Sequence, residues 1–227
     1  MINIAIDGPA GSGKTTIAKL ISDKLGFCYL NTGAMYRALG MFCYHNNKNS
    51  ESETDALWVC KNTKLELEFK DQVQHTIING KDYNEYIGEY IASKYSSEIS
   101  KHNCIREKCV EIQRDFASKN NVVIEGRDIG SVVLPNADFK FFFDVAPEVR
   151  AQRRLKQYME NGTDLTNITY QTILADIKQR DLQDSTRKNS PLIKMPDSII
   201  VDCSLNIEQE IEFMLNIIYK KYPNLKR

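Results

Sequence analysis

The sequence predicts an α/β protein: a parallel sheet with helices on both faces, a small antiparallel β insert and a helical lid. Three observations predict it. Short apolar runs, Ile2–Ile6, Val122–Ile124, Lys140–Phe143 and Ile199–Val201, alternate with stretches of helical periodicity, as in a parallel sheet covered on both sides. A glycine-rich loop, Gly8–Thr15, lies between the first of these runs and a helix. Residues 64–84 break the pattern. Leu65-Glu66-Leu67-Glu68-Phe69 alternates with period two, Val73–Ile78 is β-rich, and Asn79-Gly80 is a hairpin signal because both residues tolerate positive φ.

The remaining elements follow in order. Ile17, Leu20, Ile21 and Leu25 recur at helical spacing, and Gly26 stops that helix. Phe27–Leu30 reads as a second strand, and Met35–Tyr44 as a helix closed by the polar run His45–Ser50. Ile105, Cys109, Ile112 and Phe116 share one helical face. The strand Val122–Ile124 ends at Glu125-Gly126-Arg127-Asp128, and two helical stretches, about 147–160 and 166–184, separate the last two strands. There is no internal repeat. The 227 residues therefore form one domain, with a core of 1–59, 86–146 and 166–227, an insert at about 60–85, and a mobile lid at about 147–165.

Composition excludes several classes. The formal net charge is zero, so no overall field draws the chain to nucleic acid or an anionic membrane, and any anion site must be a local cluster of Arg and Lys. No stretch approaches the roughly 18 apolar residues of a membrane span. Met1–Asp7 lacks a basic region and meets an acid at position 7, which does not suit a signal peptide. A cytoplasmic monomer is expected, with small-molecule partners and neither nucleic acid nor membrane. Cys28, Cys43, Cys60, Cys104, Cys109 and Cys203 form no C-x-x-C pair, so reduced, mostly buried thiols are expected. His45, His75 and His102 are scattered and suggest no ligand or base, and the sequon Asn167-Ile168-Thr169 has no use in a cytosolic chain.

Gly8-Pro9-Ala10-Gly11-Ser12-Gly13-Lys14-Thr15 fits G-x-x-x-x-G-K-[ST] in its required strand–loop–helix context. Glycines allow a tight loop whose N–H groups face phosphate oxygens, and the helix start adds the positive end of its dipole. Lys14 can reach β- and γ-phosphates, the Thr15 hydroxyl can ligate Mg²⁺, and Thr16 can touch the α-phosphate. This P-loop implies nucleoside triphosphate binding, not a reaction, since hydrolases, switches and kinases all use it.

Downstream groups narrow the choice. In Asn31-Thr32-Gly33-Ala34-Met35-Tyr36-Arg37, a hydroxyl, a glycine and an arginine gather at a helix start, which suits a second anion site. Glu125-Gly126-Arg127-Asp128-Ile129-Gly130 lies at the carboxyl end of a buried strand, where open α/β sheets bind ligands. Arg150, Arg153 and Arg154 share one helical face, and Arg180, Asp184 and Arg187 share another if the helix runs that far. Taken alone, Arg37 also fits a solvated helix charge, Arg127 a salt bridge, and the arginine faces a solvated surface.

The GPAGSGKTT, NTGAMYR, VIEGRDIGSVV and RDLQDSTR segments, in this order and spacing, resemble those of bacterial cytidylate kinases over nearly the whole chain, and the β insert is similar to that family's. The resemblance implies ATP + CMP ⇌ ADP + CDP, with dCMP as a second substrate and Mg²⁺ accompanying ATP. It also implies site residues: Thr32, Arg37 and Arg127 for the CMP phosphate, Ser97, Arg106 and Asp128 for cytosine, Arg180 and Asp184 for the sugar, and Arg187 beside the nucleotide. Gly8, Pro9, Ala10, Gly11, Ser12, Gly13, Lys14, Thr15 and Thr16 are the expected ATP-binding residues. Lys14, Arg127, Arg150, Arg153 and Arg154 are the expected catalytic charges, acting without a general base. Thr32 stands where many relatives have Ser, and Asn31 where many have Asp.

Overall fold

The computed structural model describes residues 1–160, 168–202 and 206–226. The loop Asn161-Gly162-Thr163-Asp164 of the expected lid, part of the sequon and Cys203 lie outside the described residues. Two compact units divide the chain, one of Met1–Asn3 and Phe27–Gly126, the other of Ile4–Gly26 and Arg127–Arg227. They are called here the hairpin unit and the loop unit.

The loop unit is built on three parallel strands in the order β1 (Asn3–Asp7), β7 (Phe139–Asp144), β8 (Ile199–Asp202), with Ile6 opposite Phe141 and Phe141 opposite Ile199. Strand β1 is buried from Ile4 onward and β7 from Phe139 to Phe143, as the continuous apolar runs predict. Lys140 interrupts the apolar run, and its ammonium pairs with Asp197 at 2.7 Å, which holds that carboxyl below its ordinary range. Helix α1 (Lys14–Leu25) buries Ile17, Ala18, Ile21 and Leu25 and ends where Gly26 takes the left-handed conformation, as expected. Burial of each of Ile17, Ile21 and Leu25 contributes about 1.5–3 kcal/mol.

Helices α6 (Pro147–Glu160) and α7 (Tyr170–Thr186) pack through Ala151, Ile173 and Ile177. Thr169 caps α7 by accepting the Thr172 N–H, which sets the start a few residues after the expected one. A final helix, α8 (Ile207–Lys221), was not anticipated, although Asn206 and Gln209 form a capping box that announces it.

In the hairpin unit, β2 (Cys28–Asn31) pairs in parallel with β6 (Val122–Gly126), placing Asn31 opposite Glu125. The small antiparallel sheet runs in the order β3 (Leu65–Lys70), β4 (Val73–Ile78), β5 (Lys81–Asp82), turning at Asn79-Gly80 with φ of 53° and 79°. His75 has a partner that the sequence did not suggest, Asp82 at 2.5 Å across the sheet. Helix α2 (Thr32–His45) starts earlier than its apolar spacing implies because the Asn31 side chain caps it, accepting the Ala34 N–H at 3.1 Å. Helix α3 (Glu53–Asn62) was not expected, and the helical region expected over Tyr95 to Phe116 is two helices, α4 (Tyr90–Ile99) and α5 (Asn103–Lys119). The five described cysteines carry no disulfide. Among the described residues, no helix is long and apolar enough to cross a membrane.

Candidate active site

In the loop unit, β1 delivers the chain into the phosphate loop at full burial. Gly8 has φ +150°, and a Cβ there would stand 2.6 Å from the Phe143 carbonyl oxygen, so only glycine lets the loop leave the sheet along this path. Lys14 is buried at the first position of α1, and its ammonium donates to the Pro9 carbonyl at 2.7 Å and the Ser12 hydroxyl at 3.0 Å. These are acceptors of the loop itself, and phosphate oxygens are stronger partners for the same charge. Thr15 and Thr16 are exposed beside it. A cavity of about 690 Å³ adjoins the loop, lined by Ser12, Gly13, Thr16, Ile17 and Arg153 together with Asn206, Ile207, Glu208 and Glu210.

Asp7, at the end of β1, was passed over in the sequence except as an acid near the start. Its carboxylate accepts the Ile129 N–H at 2.8 Å and the Gly130 N–H at 2.7 Å, fixing a π-helical turn, Ile129–Val133, directly after Asp128. Burial pushes the Asp7 carboxyl up to about 6, with Asp128 adding to the rise, while the two N–H bonds and Lys14 oppose it.

Beside this turn a charge cluster forms from three segments. Arg127 Nε donates to Asp184 Oδ2 at 3.1 Å. Arg187 lies 3.6 Å from Asp184 and 3.9 Å from Asp128. Helix α7 ends at Thr186, so Arg187 is its C-cap and leaves the helix, with its Nε donating to the Ser190 carbonyl at 2.6 Å. Asp128 and Asp184 are both buried. Arg180 lies on α7 one turn before Asp184.

The three α6 arginines diverge. Arg150 is 2% exposed and turned inward onto protein groups. Arg153 reaches the phosphate loop, with its Nη1 3.9 Å from where a Gly13 Cβ would be. Arg154 lies over the Tyr158 ring and donates to its hydroxyl at 3.2 Å.

The hairpin unit holds the other named residues. The Thr32 hydroxyl donates to the Glu125 carbonyl at 2.8 Å, and the Glu125 carboxylate accepts the Tyr29 hydroxyl at 2.5 Å. Arg37 folds back over the start of α2, where a Cβ on Gly33 would stand 3.2 Å from its Nη1. A guanidinium, a hydroxyl and a helix N-terminus thus meet within one turn, an anion-binding set. Arg106 is buried on α5, its guanidinium 5.4 Å from the Tyr36 ring centre and donating to the Ser100 carbonyl at 3.2 Å. Ser97 lies on the partly covered part of α4.

A phosphate loop and an arginine–carboxylate cluster fit many small-molecule kinases, and comparison with known proteins decides among them. The family model described as cytidylate kinase matches residues 4–220. The chain belongs to the cytidylate kinase family. A cytidylate kinase of Caldicellulosiruptor saccharolyticus is 42% identical over 98% of both chains. One from Thermosipho melanesiensis is 42% identical over 96% of this chain and 97% of its own, and one from Clostridium botulinum 43% over the same shares. Among solved structures, shikimate kinase from Bacteroides thetaiotaomicron superposes with a TM-score of 0.51 at 13% identity, covering 96% of this chain and 98% of that one. At that identity the likeness supports the P-loop kinase fold alone. The cytidylate kinase family is the one that the four sequence segments resemble.

Proposed function

We propose that this member of the cytidylate kinase family transfers the γ-phosphoryl group of ATP to CMP, and also to dCMP, giving ADP and CDP or dCDP. The observation that carries the reading is the cluster of Arg127, Asp128, Asp184 and Arg187 in the same unit as the phosphate loop, in a chain of this family. Two guanidiniums suit a phosphate, and two buried carboxylates, which accept hydrogen bonds, suit donors such as the sugar hydroxyls and the cytosine amino group.

The proposed roles follow from the residues. The backbone of Gly8–Gly13, Lys14 and Thr16 take the ATP phosphates, and the cavity beside Ser12, Gly13 and Arg153 has the size for the adenosine. Thr32, Arg37 and Arg127 take the CMP phosphate; Ser97, Arg106 and Asp128 take the base; Arg180, Asp184 and Arg187 lie along the sugar and phosphate. Lys14, Arg127, Arg153 and Arg154 balance the charge of the transferred group. No general base is needed, because the acceptor is a phosphate oxygen already ionised at neutral pH. Helix α6, the described part of the expected lid, closes over the donor, excluding water that would otherwise accept the phosphoryl group.

Mg²⁺ fits this site. Thr15 is exposed at the loop–helix junction, where its hydroxyl could join substrate phosphates in holding the ion. When bound, Mg²⁺ neutralises charge on the β- and γ-phosphate oxygens.

A substrate panel tests the proposal. With ATP and Mg²⁺, the purified protein should form CDP from CMP far faster than UDP from UMP or ADP from AMP. Tight CMP binding without turnover, or preferred use of UMP or AMP, would refute it.

A further inference from the structure

Arg150 was expected among the catalytic charges, but its surroundings give it another task. It is among the largest fully buried side chains of the described residues. Its Nε donates to the Val145 carbonyl at 2.9 Å, and its Nη1 donates to the Ala10 carbonyl at 3.1 Å and to Asp181 Oδ1 at 3.0 Å. Nη2 pairs with Asp181 Oδ2, completing a two-pronged ion pair. Four of the five N–H donors of the guanidinium are thereby used on protein acceptors. The side chain also runs alongside the loop, since a Cβ on Gly11 would lie 3.8 Å from the Arg150 Cβ.

We infer that Arg150 and Asp181 are positioning residues for the phosphate loop: Asp181 fixes the guanidinium, and the guanidinium fixes the Ala10–Gly11 peptide. A buried guanidinium is stable only when its charge is paired, so Asp181 holds Arg150 in the one place where it meets the Ala10 carbonyl. The peptide unit is planar, and in its trans form the carbonyl and the following N–H point to opposite sides. Holding the Ala10 oxygen on Arg150 therefore aims the Gly11 N–H away from α6. On the phosphate-loop reading, that is the direction in which backbone donors must converge on the triphosphate. Preorganised donors are what such a site contributes to phosphoryl transfer, and a peptide free to rotate would supply less. Helix α7 gains a second function from this arrangement. It carries Asp181, which acts on the donor loop through Arg150, and one turn later Asp184, which holds Arg127.

The inference rests on Gly8–Thr15 binding ATP, which titration of ATP into the wild-type protein establishes separately. The test compares Arg150→Met, Asp181→Asn and the double variant in the full-length chain. It measures KM for ATP and for CMP, kcat, and thermal melting to confirm folding. Asp181→Asn should raise KM for ATP about tenfold while KM for CMP changes less than about threefold, and the double variant should be no worse than Arg150→Met alone. If Arg150→Met does not fold, Arg150→Lys replaces it, because an ammonium cannot span both carboxylate oxygens and the Ala10 carbonyl. Wild-type KM for ATP in Asp181→Asn beside a raised value in the Arg150 variant would overturn the inference, since Arg150 would then act on phosphate directly. An equal rise in both KM values would also overturn it, as general loosening of the fold.

Discussion

The phosphate loop and the arginine–carboxylate cluster belong to the same unit and both suit phosphate chemistry, yet they are specified in different ways. The loop is one contiguous segment whose donors are mostly backbone, and Gly8 alone dictates its exit from the sheet against the Phe143 carbonyl. The cluster is made of side chains from the Arg127-Asp128 segment, helix α7 and its C-cap, gathered only by folding. A site built from backbone is protected by the sheet beneath it and sensitive to whatever orients its peptides. A site built from side chains is sensitive to each charge in turn, because removing one member leaves its partner buried and unpaired. The two should therefore respond differently to mutation.

Lys14 gives the largest contrast. It is the charged side chain that the loop itself carries, so Lys14→Ala should lower turnover by at least about 100-fold while circular dichroism and melting stay near wild type. Near-normal CDP formation by a folded variant would remove the loop from the chemistry.

Asp7 joins the loop strand to the turn after Asp128, and it links the comparison to pH. Its folded pKa of about 6 lies above the 3.8 of an ordinary aspartate, so the folded state holds its proton longer than the unfolded state. The Asp7 contribution is therefore most favourable below pH 4 and is lost as pH rises from about 4 to about 6. The loss is about two pKa units at 1.36 kcal/mol each, or ~3 kcal/mol. Asp55, Asp82, Glu148 and Asp197, whose carboxyls are held low, tilt the total stability the other way. The difference between wild type and Asp7→Asn cancels those carboxylates. Denaturant unfolding of the two proteins at several pH values should show Asp7→Asn gaining relative stability up to about pH 6 and a flat difference above it. A difference independent of pH would mean that Asp7 titrates normally.

Sequence legibility divides along the same line. The strands, the loop, the Asn79-Gly80 hairpin and the end of α1 at Gly26 were readable because local periodicity and glycine chemistry determine them. Helices α3 and α8 carried readable caps, at Ser52 with Asp55 and at Asn206 with Gln209, that apolar spacing alone did not reveal. The break between α4 and α5 falls at Ser100-Lys101-His102, where no proline or glycine marks it. Within the site, the strand-end position of Arg127 and Asp128 and the helical spacing of Asp184 and Arg187 were readable, but the part each plays was implied only by resemblance to a family. Asp181 and the inward turn of Arg150 left no local signal. A charged residue at helical spacing reads as solvated until its partner, 31 positions away here, is known.

The smallest predicted effect bears most directly on the claim that the side-chain cluster selects the acceptor. An ionised Asp128 can accept the cytosine amino group but has nothing to give the uracil carbonyl at the same position. Asp128→Asn keeps the shape and adds a donor, and one such hydrogen bond is worth about 1–3 kcal/mol, or roughly tenfold to a hundredfold in preference. The decisive measurement is the ratio of kcat/KM for CMP to that for UMP, in wild type and in Asp128→Asn. A ratio that falls about tenfold or more in the variant is the predicted result. A ratio that holds at its wild-type value while total activity drops would contradict it, leaving Asp128 as a scaffold for Arg187 and base selection to Ser97 and Arg106.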